Sequence, residues 1–319
     1  MNQSIREKIG GLAIFGAILL ETIVFTTLTP QFLSFENLVN VALSVAVIGI
    51  LAVGMTFVIL IGGIDLSIGS VVALAGVIAA LVTQKTEFAS LGFAAALAVG
   101  LASGAFNGAI IAYFRMPPFV VTLAVLTIAR GLAFIFSGGR SIGNLTESFS
   151  HFGKSAFLGI PFSVWLMVSM FALGWFLLQH TTFGRYVYAV GGNEEAAFLA
   201  GVKTKAVTFR VYLLNGLLVG LAAVALASRL GAGVPNSGLQ YELDVIAAVV
   251  VGGTSLSGGR GSVVSTLFGA IFIAVLNNGL NLAGIDTYVQ KIVLGIVILL
   301  AVLADKFNSA FVFQFIRKR

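Results

Sequence analysis

The sequence has no cysteine and only two histidines, His151 and His180, in 319 residues. Without thiols there is no disulfide framework, no cysteine nucleophile and no thiolate metal or iron–sulfur site. Nothing pairs the two histidines, so no multi-histidine metal centre is expected and neither residue is assigned a role. Charge is also scarce. Asp, Glu, Lys and Arg make up 9% of the chain, against about 25% in an ordinary soluble domain. The phosphate-loop pattern G-x-x-x-x-G-K-[ST] is missing, which excludes nucleotide hydrolysis by that route. The carboxylates are scattered singly, with no paired acid and base for an intramembrane enzyme. No cofactor, metal or catalytic residue is expected.

Hydrophobic residues fill the space that charge leaves. They are 59% of the chain, and mean hydropathy is +1.07. A soluble core of this size could not hide so much apolar surface. A soluble globular domain, a disordered chain and a nucleic-acid-binding domain are therefore excluded, and no nucleic-acid partner is expected. The net charge of +6 has a different meaning here, since membrane proteins concentrate Lys and Arg in cytoplasmic loops. The apolar residues come in long runs rather than in alternation, so the fold class is all-α: a polytopic membrane protein surrounded by lipid.

Ten runs are candidates: 11–27, 38–62, 68–83, 89–113, 119–136, 162–180, 209–228, 243–255, 262–284 and 289–304. The runs 68–83 and 243–255 are short and flanked by glycine-rich polar segments, as half-spanning or broken helices would be. The first run holds Glu21, and residues 22–32 lack a small-residue cleavage site, so it is read as an uncleaved span. With the N-terminus placed in the cytoplasm, inside segments carry 12 of the 18 basic residues, among them Arg6, Lys8, Arg185, Lys203, Lys205 and Arg317–Arg319. Ten spans with both termini inside satisfy this bias. No polar loop is long enough for a separate catalytic domain, so residues 1–319 are expected to form one transmembrane domain.

Two regions of the chain look alike. Asp65 and Asp244 each precede a short apolar run, and Asn107-Gly108 and Asn278-Gly279 each fall late in the next long one. In the ten-span topology the members of each pair lie on opposite sides of the membrane. This is the pattern of an inverted repeat, with halves at about 38–136 and 209–304 and a pathway between them.

The polar residues within these runs are the candidate pathway residues: Asp65, Asn107, Arg130, Asp244, Asn277 and Asn278. Each has two readings. Asp65, in GGIDLSIGS, either lines a broken helix at a pathway or, with Ser67, caps the next helix. Arg130 and Glu21 either meet a polar pathway or each other, or snorkel to the interface. The asparagines, Asn281 included, suit hydroxyl-rich solutes but also join helices.

One loop, TTFGRYVYAVGGNEEAAFLAGVKTK, is different in character. Gly191-Gly192-Asn193 reads as a turn, and Asn193 is placed to cap a short helix with Glu194 and Glu195 in its first turn, then Ala196, and Gly201 at its end. Arg185, Lys203 and Lys205 flank it. A short helix like this, between spans, is shaped to dock into a groove on a soluble partner. The glycine-rich segment 249–270 lacks a Lys-Ser/Thr ending, so it is read as a tight turn rather than a phosphate loop.

Three blocks, GMTFVILIGGIDLSIGS, the TTFGRYVYAVGGNEEAAFLAGV loop and YELDVIAAVVVGGTSLSGGRGS, resemble the permease subunits of bacterial monosaccharide ABC importers of the ribose-type branch, in order and spacing. The resemblance spans nearly the whole chain and implies an inner-membrane permease paired with a second permease chain, either an identical copy or a paralogue. It also implies an ABC-type ATPase subunit below and a periplasmic sugar-binding protein above. In such a protein the segment Gly192–Gly201 would be the helix that couples to the ATPase. The competing class is a self-sufficient, ion-coupled secondary transporter of a small polar solute.

Overall fold

The computed structural model describes residues 3–316, with side chains for 14–304 and 306. The side chains of Arg6 and Lys8, and all of Arg317–Arg319, on which part of the orientation argument rests, lie outside the described residues. Thirteen α-helices follow one another among the described residues: α1 Gln3–Leu28, α2 Phe35–Leu60, α3 Ile68–Thr86, α4 Ala89–Phe114, α5 Pro118–Ser137, α6 Glu147–Lys154, α7 Phe162–His180, α8 Thr182–Gly192, α9 Glu194–Leu199, α10 Thr204–Leu230, α11 Tyr241–Val251, α12 Val263–Leu282 and α13 Thr287–Ile316. A two-residue ladder, β1 Ala156–Phe157 with β2 Ile160–Pro161, forms a small hairpin before α7.

Local chemistry sets these boundaries. The Ser34 hydroxyl caps α2 by accepting from the Asn37 amide. Pro117-Pro118 starts α5, where the missing amide donor costs nothing. Gly138 and Gly231, with φ of 60° and 63°, end α5 and α10 in the left-handed turn that closes a helix.

Each of the ten expected runs falls on a helix for most of its length, although 243–255 continues four residues past the end of α11. Eight helices are long and apolar enough to cross a bilayer. The short run 68–83 belongs to a full-length helix, the 19-residue α3. The run 243–255 does not: α11 has 11 residues, about 16 Å against a hydrocarbon core of about 30 Å. The apolar part of α1 within the described side chains is Ile14–Leu28.

The core is built around α2 and α10, which pack on each other. Residues 45–60 of α2 are buried without a break, whereas only 6% of Thr287–Ala304 is buried. α2 is therefore an internal strut, and α13 presents an apolar face of the kind that meets hydrocarbon. In lipid, helices gain little from apolar burial and associate through close backbone approach. Gly100, Gly104 and Gly108 of α4 accordingly face the backbone of α10 at Phe209–Gly220, where Gly216 and Gly220 leave room for them.

Two non-helical segments enter this core. Gly62–Ser67 joins α2 to α3, and residues 231–240 join α10 to α11. Gly63 lies against the Tyr212 hydroxyl, well inside α10, and Gly238 packs on the backbone of Gly69 at the start of α3. Unwound backbone is tolerated at such depth only where protein satisfies it. Here Thr122 donates to the Ile64 carbonyl at 3.3 Å, and Arg130 serves the second segment.

Candidate functional site

The first segment carries a buried polar cluster. Asp65 is 3% exposed. Its Oδ1 accepts from the Ser67 amide at 2.9 Å and the Ser67 hydroxyl at 2.6 Å. Its Oδ2 accepts from Asn215 Nδ2 of α10 at 2.8 Å. Asn107 Nδ2 of α4 donates to Ser67 Oγ at 3.1 Å. Asp65 thus turns on the residue two positions ahead, and Ser67, at the N-cap of α3, makes no side-chain cap bond. The capping expectation fails because the carboxylate is spent on holding α3, α4 and α10 together. Asn215, which completes this cluster, and Tyr212, whose hydroxyl is buried beside Gly63, were not among the expected residues. Their only sequence signal is polarity within an apolar helix.

The second group is open to a cavity. Asp244 of α11 and Asn277 of α12 come together, with Asn277 Nδ2 3.4 Å from Asp244 Oδ1. Both line a space of about 340 Å³ between α2, α11, α12 and α13. Asn278 lines it too, but its amide is engaged. Asn37 and Asn278 exchange reciprocal bonds of 3.0 and 2.9 Å that tie α2 to α12. The expected residues therefore divide into a closed cluster around Asp65 and Asn107 and an open one around Asp244 and Asn277.

Arg130 joins neither group. Its Nη1 donates to the carbonyls of Pro235 and Ser237 at 2.7 and 2.9 Å. It clamps the second unwound segment from α5. Glu21 is not its partner: both carboxyl oxygens of Glu21 are buried without a hydrogen bond among the described residues.

The TTFGRYVYAVGG part of the loop before α9 is helical as α8, which Thr181 caps through the Gly184 amide at 3.2 Å. The expected turn at Gly191-Gly192-Asn193 shrinks to a break at Asn193. Asn193 Oδ1 then caps α9 by accepting from the Ala196 amide at 2.8 Å. Gly201 follows at φ 87°. Only Ala197 of α9 is buried, while Glu194, Glu195 and Ala196 face outward with Arg185 and Lys203 nearby in sequence. Phe198 and Leu199 are 66% and 79% exposed. These two apolar residues were overlooked by a reading centred on charge.

The base of α8 meets two other segments backbone to backbone. Gly259 N donates to the Leu60 carbonyl at 2.8 Å. Gly191 packs on Leu60 and Gly259, and Gly259 on Gly192. Tyr188 Oη donates to the Gly261 carbonyl at 2.9 Å. The helix before α9 is therefore joined to the end of α2, five residues before Asp65, and to the α11–α12 loop.

Residues 37–302 match the family described as "Branched-chain amino acid transport system / permease component". The chain belongs to this permease family. The permease is 45% identical over 293 residues to a ribose import permease protein of Escherichia coli K12, covering 91% of each chain. It is 44% identical to the ribose import permease protein of Bacillus subtilis 168, over 96% of this chain and 95% of that one. It is 39% identical to an L-arabinose ABC transporter permease protein of Azospirillum brasilense, over 92% and 87%. No solved structure matches. The permease is a multi-pass membrane transport subunit and not an enzyme.

Proposed function

We propose that this permease is the membrane subunit of an ATP-driven importer of a monosaccharide. A periplasmic sugar-binding protein delivers the solute and a separate ABC-type ATPase supplies the energy. The observation that carries this reading is likeness to sugar permeases along more than nine tenths of the chain. The family description speaks of amino acids, but the ribose and arabinose relatives are the better guide to substrate class, since they match this chain nearly end to end.

The ATPase docks at α8–α9. In support, α9 is capped, small and almost wholly exposed, and it offers Glu194, Glu195, Phe198 and Leu199 outward. Binding of ATP moves this helix. The backbone junction of Gly191, Leu60 and Gly259 passes the movement to the Asp65 segment and to the loop behind Asp244. The spans then rock so that the opening alternates between the two sides. Two chains work as a pair, identical or paralogous, in the lipid of a bacterial inner membrane, with both termini cytoplasmic.

The single transmembrane domain consists of two inverted halves, near 38–136 and 209–304. In support, an unwound segment precedes α3 and another precedes α11, and each has an Asp near it that lies close to an Asn of the following long helix, by way of Ser67 in the first half and directly in the second.

Reconstitution tests the reading. Proteoliposomes holding the permease, the ATPase and the binding protein should accumulate sugar only with ATP. Sugar uptake by the permease alone down an ion gradient would instead establish the secondary transporter.

A further inference from the structure

The cavity beside Asp244 is lined from α2, α10, α11, α12 and α13. It lies toward the opposite end of α2 from α8: from Ser44, on its wall, to Leu60 is about 24 Å of helix. Val47, Ile48, Ile273 and Leu294 give it apolar lining, and Asp244, Asn277, Tyr241, Gln290, Arg229 and Lys291 give it polar groups. A second, shallower space shares Arg229, Leu239 and Tyr241 with it and extends it along the unwound segment 231–240. A volume of about 340 Å³ is at the small end of ligand pockets.

We infer that each permease chain carries its own binding subsite for a neutral, hydroxyl-rich ring of monosaccharide size, in this cavity. The inference rests on the importer reading above and adds where a single chain holds the solute.

The lining chemistry selects the ligand. Asn277 has two N–H donors and a carbonyl acceptor. Its bond to Asp244, at 3.4 Å, is too long to be strong. A hydroxyl between the two groups would accept from Asn277 and donate to Asp244, which only a group that does both can manage. Gln290 offers the same pair of functions on the facing helix. An anion would meet the Asp244 carboxylate, and a cation would meet Arg229 and Lys291. A neutral solute meets neither penalty. The apolar lining and the Tyr241 ring suit the C–H faces of a sugar. Asn278 cannot adapt to a ligand, because its pairing with Asn37 holds α2 and α12 at fixed spacing. That fixed spacing keeps the space preformed. Affinity should be weak, since a pathway site must also release its solute.

Saturation-transfer NMR on the permease–ATPase complex in nanodiscs tests this, with D-ribose, L-arabinose, D-xylose and D-galactose as probes at millimolar concentration. At least one aldose should receive saturation from the wild-type complex. Asn277→Leu, close in volume, should cut that signal at least fivefold while leaving the thermal melt and complex assembly intact. Gln290→Leu should weaken it and serves as the second variant if Asn277→Leu does not fold. Phe198→Ser with Leu199→Ser, far from the cavity on α9, should lower uptake yet keep the signal. A signal unchanged in both cavity variants overturns the assignment, as does no signal for any of the four sugars. Displacement of the sugar by inorganic phosphate overturns the neutral-ligand class. The same variants, reconstituted with the ATPase and the binding protein in proteoliposomes, are assayed for ATP-driven uptake. No uptake by the wild type sinks the importer reading, whereas uptake together with a signal indifferent to Asn277 sinks only the cavity.

Discussion

Gly191 at the end of α8 lies directly against the carbonyl oxygen of Leu60 at the end of α2. A Cβ on Gly191 would collide with that oxygen and with the Gly259 amide that donates to it. Only glycine fits, because both neighbours are backbone and cannot rotate away. Gly191→Ala must therefore push α8 off α2 or break the Gly259–Leu60 bond, at a cost of about 1–3 kcal/mol. The expected result is a lower melting temperature and uptake reduced more than ATPase binding. Gly131→Ala in α5, where a Cβ meets nothing within 4 Å, should melt like the wild type.

Tyr188 probes the same junction without crowding it. Its hydroxyl bonds the Gly261 carbonyl at 2.9 Å. Tyr188→Phe removes that link at a cost of about 1 kcal/mol and keeps the ring. If α8 transmits movement through the α11–α12 loop, sugar transported per ATP should fall severalfold in proteoliposomes while the complex assembles normally. An unchanged ratio would show that this bond only supports the fold.

Much of the architecture was readable in advance because a bilayer demands apolar side chains and an internally bonded backbone of any segment within it. The ten apolar runs fall largely on helices for that reason. Asp65 with Asn107, and Asp244 with Asn277, could be picked out because a polar side chain in an apolar run needs a partner. Their third partners could not. Asn215 reaches Asp65 across 150 residues of sequence, and nothing local marks it. Arg130 finds two backbone carbonyls, which no side-chain pattern displays. Helix α8 was masked by its two terminal glycines, which read as a turn but serve close packing instead.

The Asp65 cluster yields a prediction of its own. Asn215→Leu removes the donor to Asp65 Oδ2 and leaves a buried carboxylate oxygen unpaired, which costs at least about 1–3 kcal/mol. Asp65→Asn leaves fewer unmet demands. The double variant should melt higher than Asn215→Leu alone, because a neutral amide tolerates the lost donor better than a carboxylate does. Equal melting temperatures for the single and double variants would mean that Asn215 does not support Asp65 energetically.

The exposed end of α9 separates two ways of docking. If charge holds the ATPase, Glu194→Lys with Glu195→Lys should abolish co-purification, and Phe198→Ser with Leu199→Ser should matter little. If apolar burial holds it, the order reverses. Exposed charges are screened by salt and are worth little each. Burying two large apolar side chains contributes about 1.5–3 kcal/mol apiece. Phe198 and Leu199, at 66% and 79% exposure, have most of that area still to bury. Ala197 anchors the opposite side of α9 to the permease, so the serine pair should leave the helix in place. The serine pair should therefore weaken co-purification by tenfold or more at any salt concentration. The lysine pair should weaken it strongly only at low ionic strength. Survival of both association and uptake in both variants would remove α9 from the ATPase contact altogether.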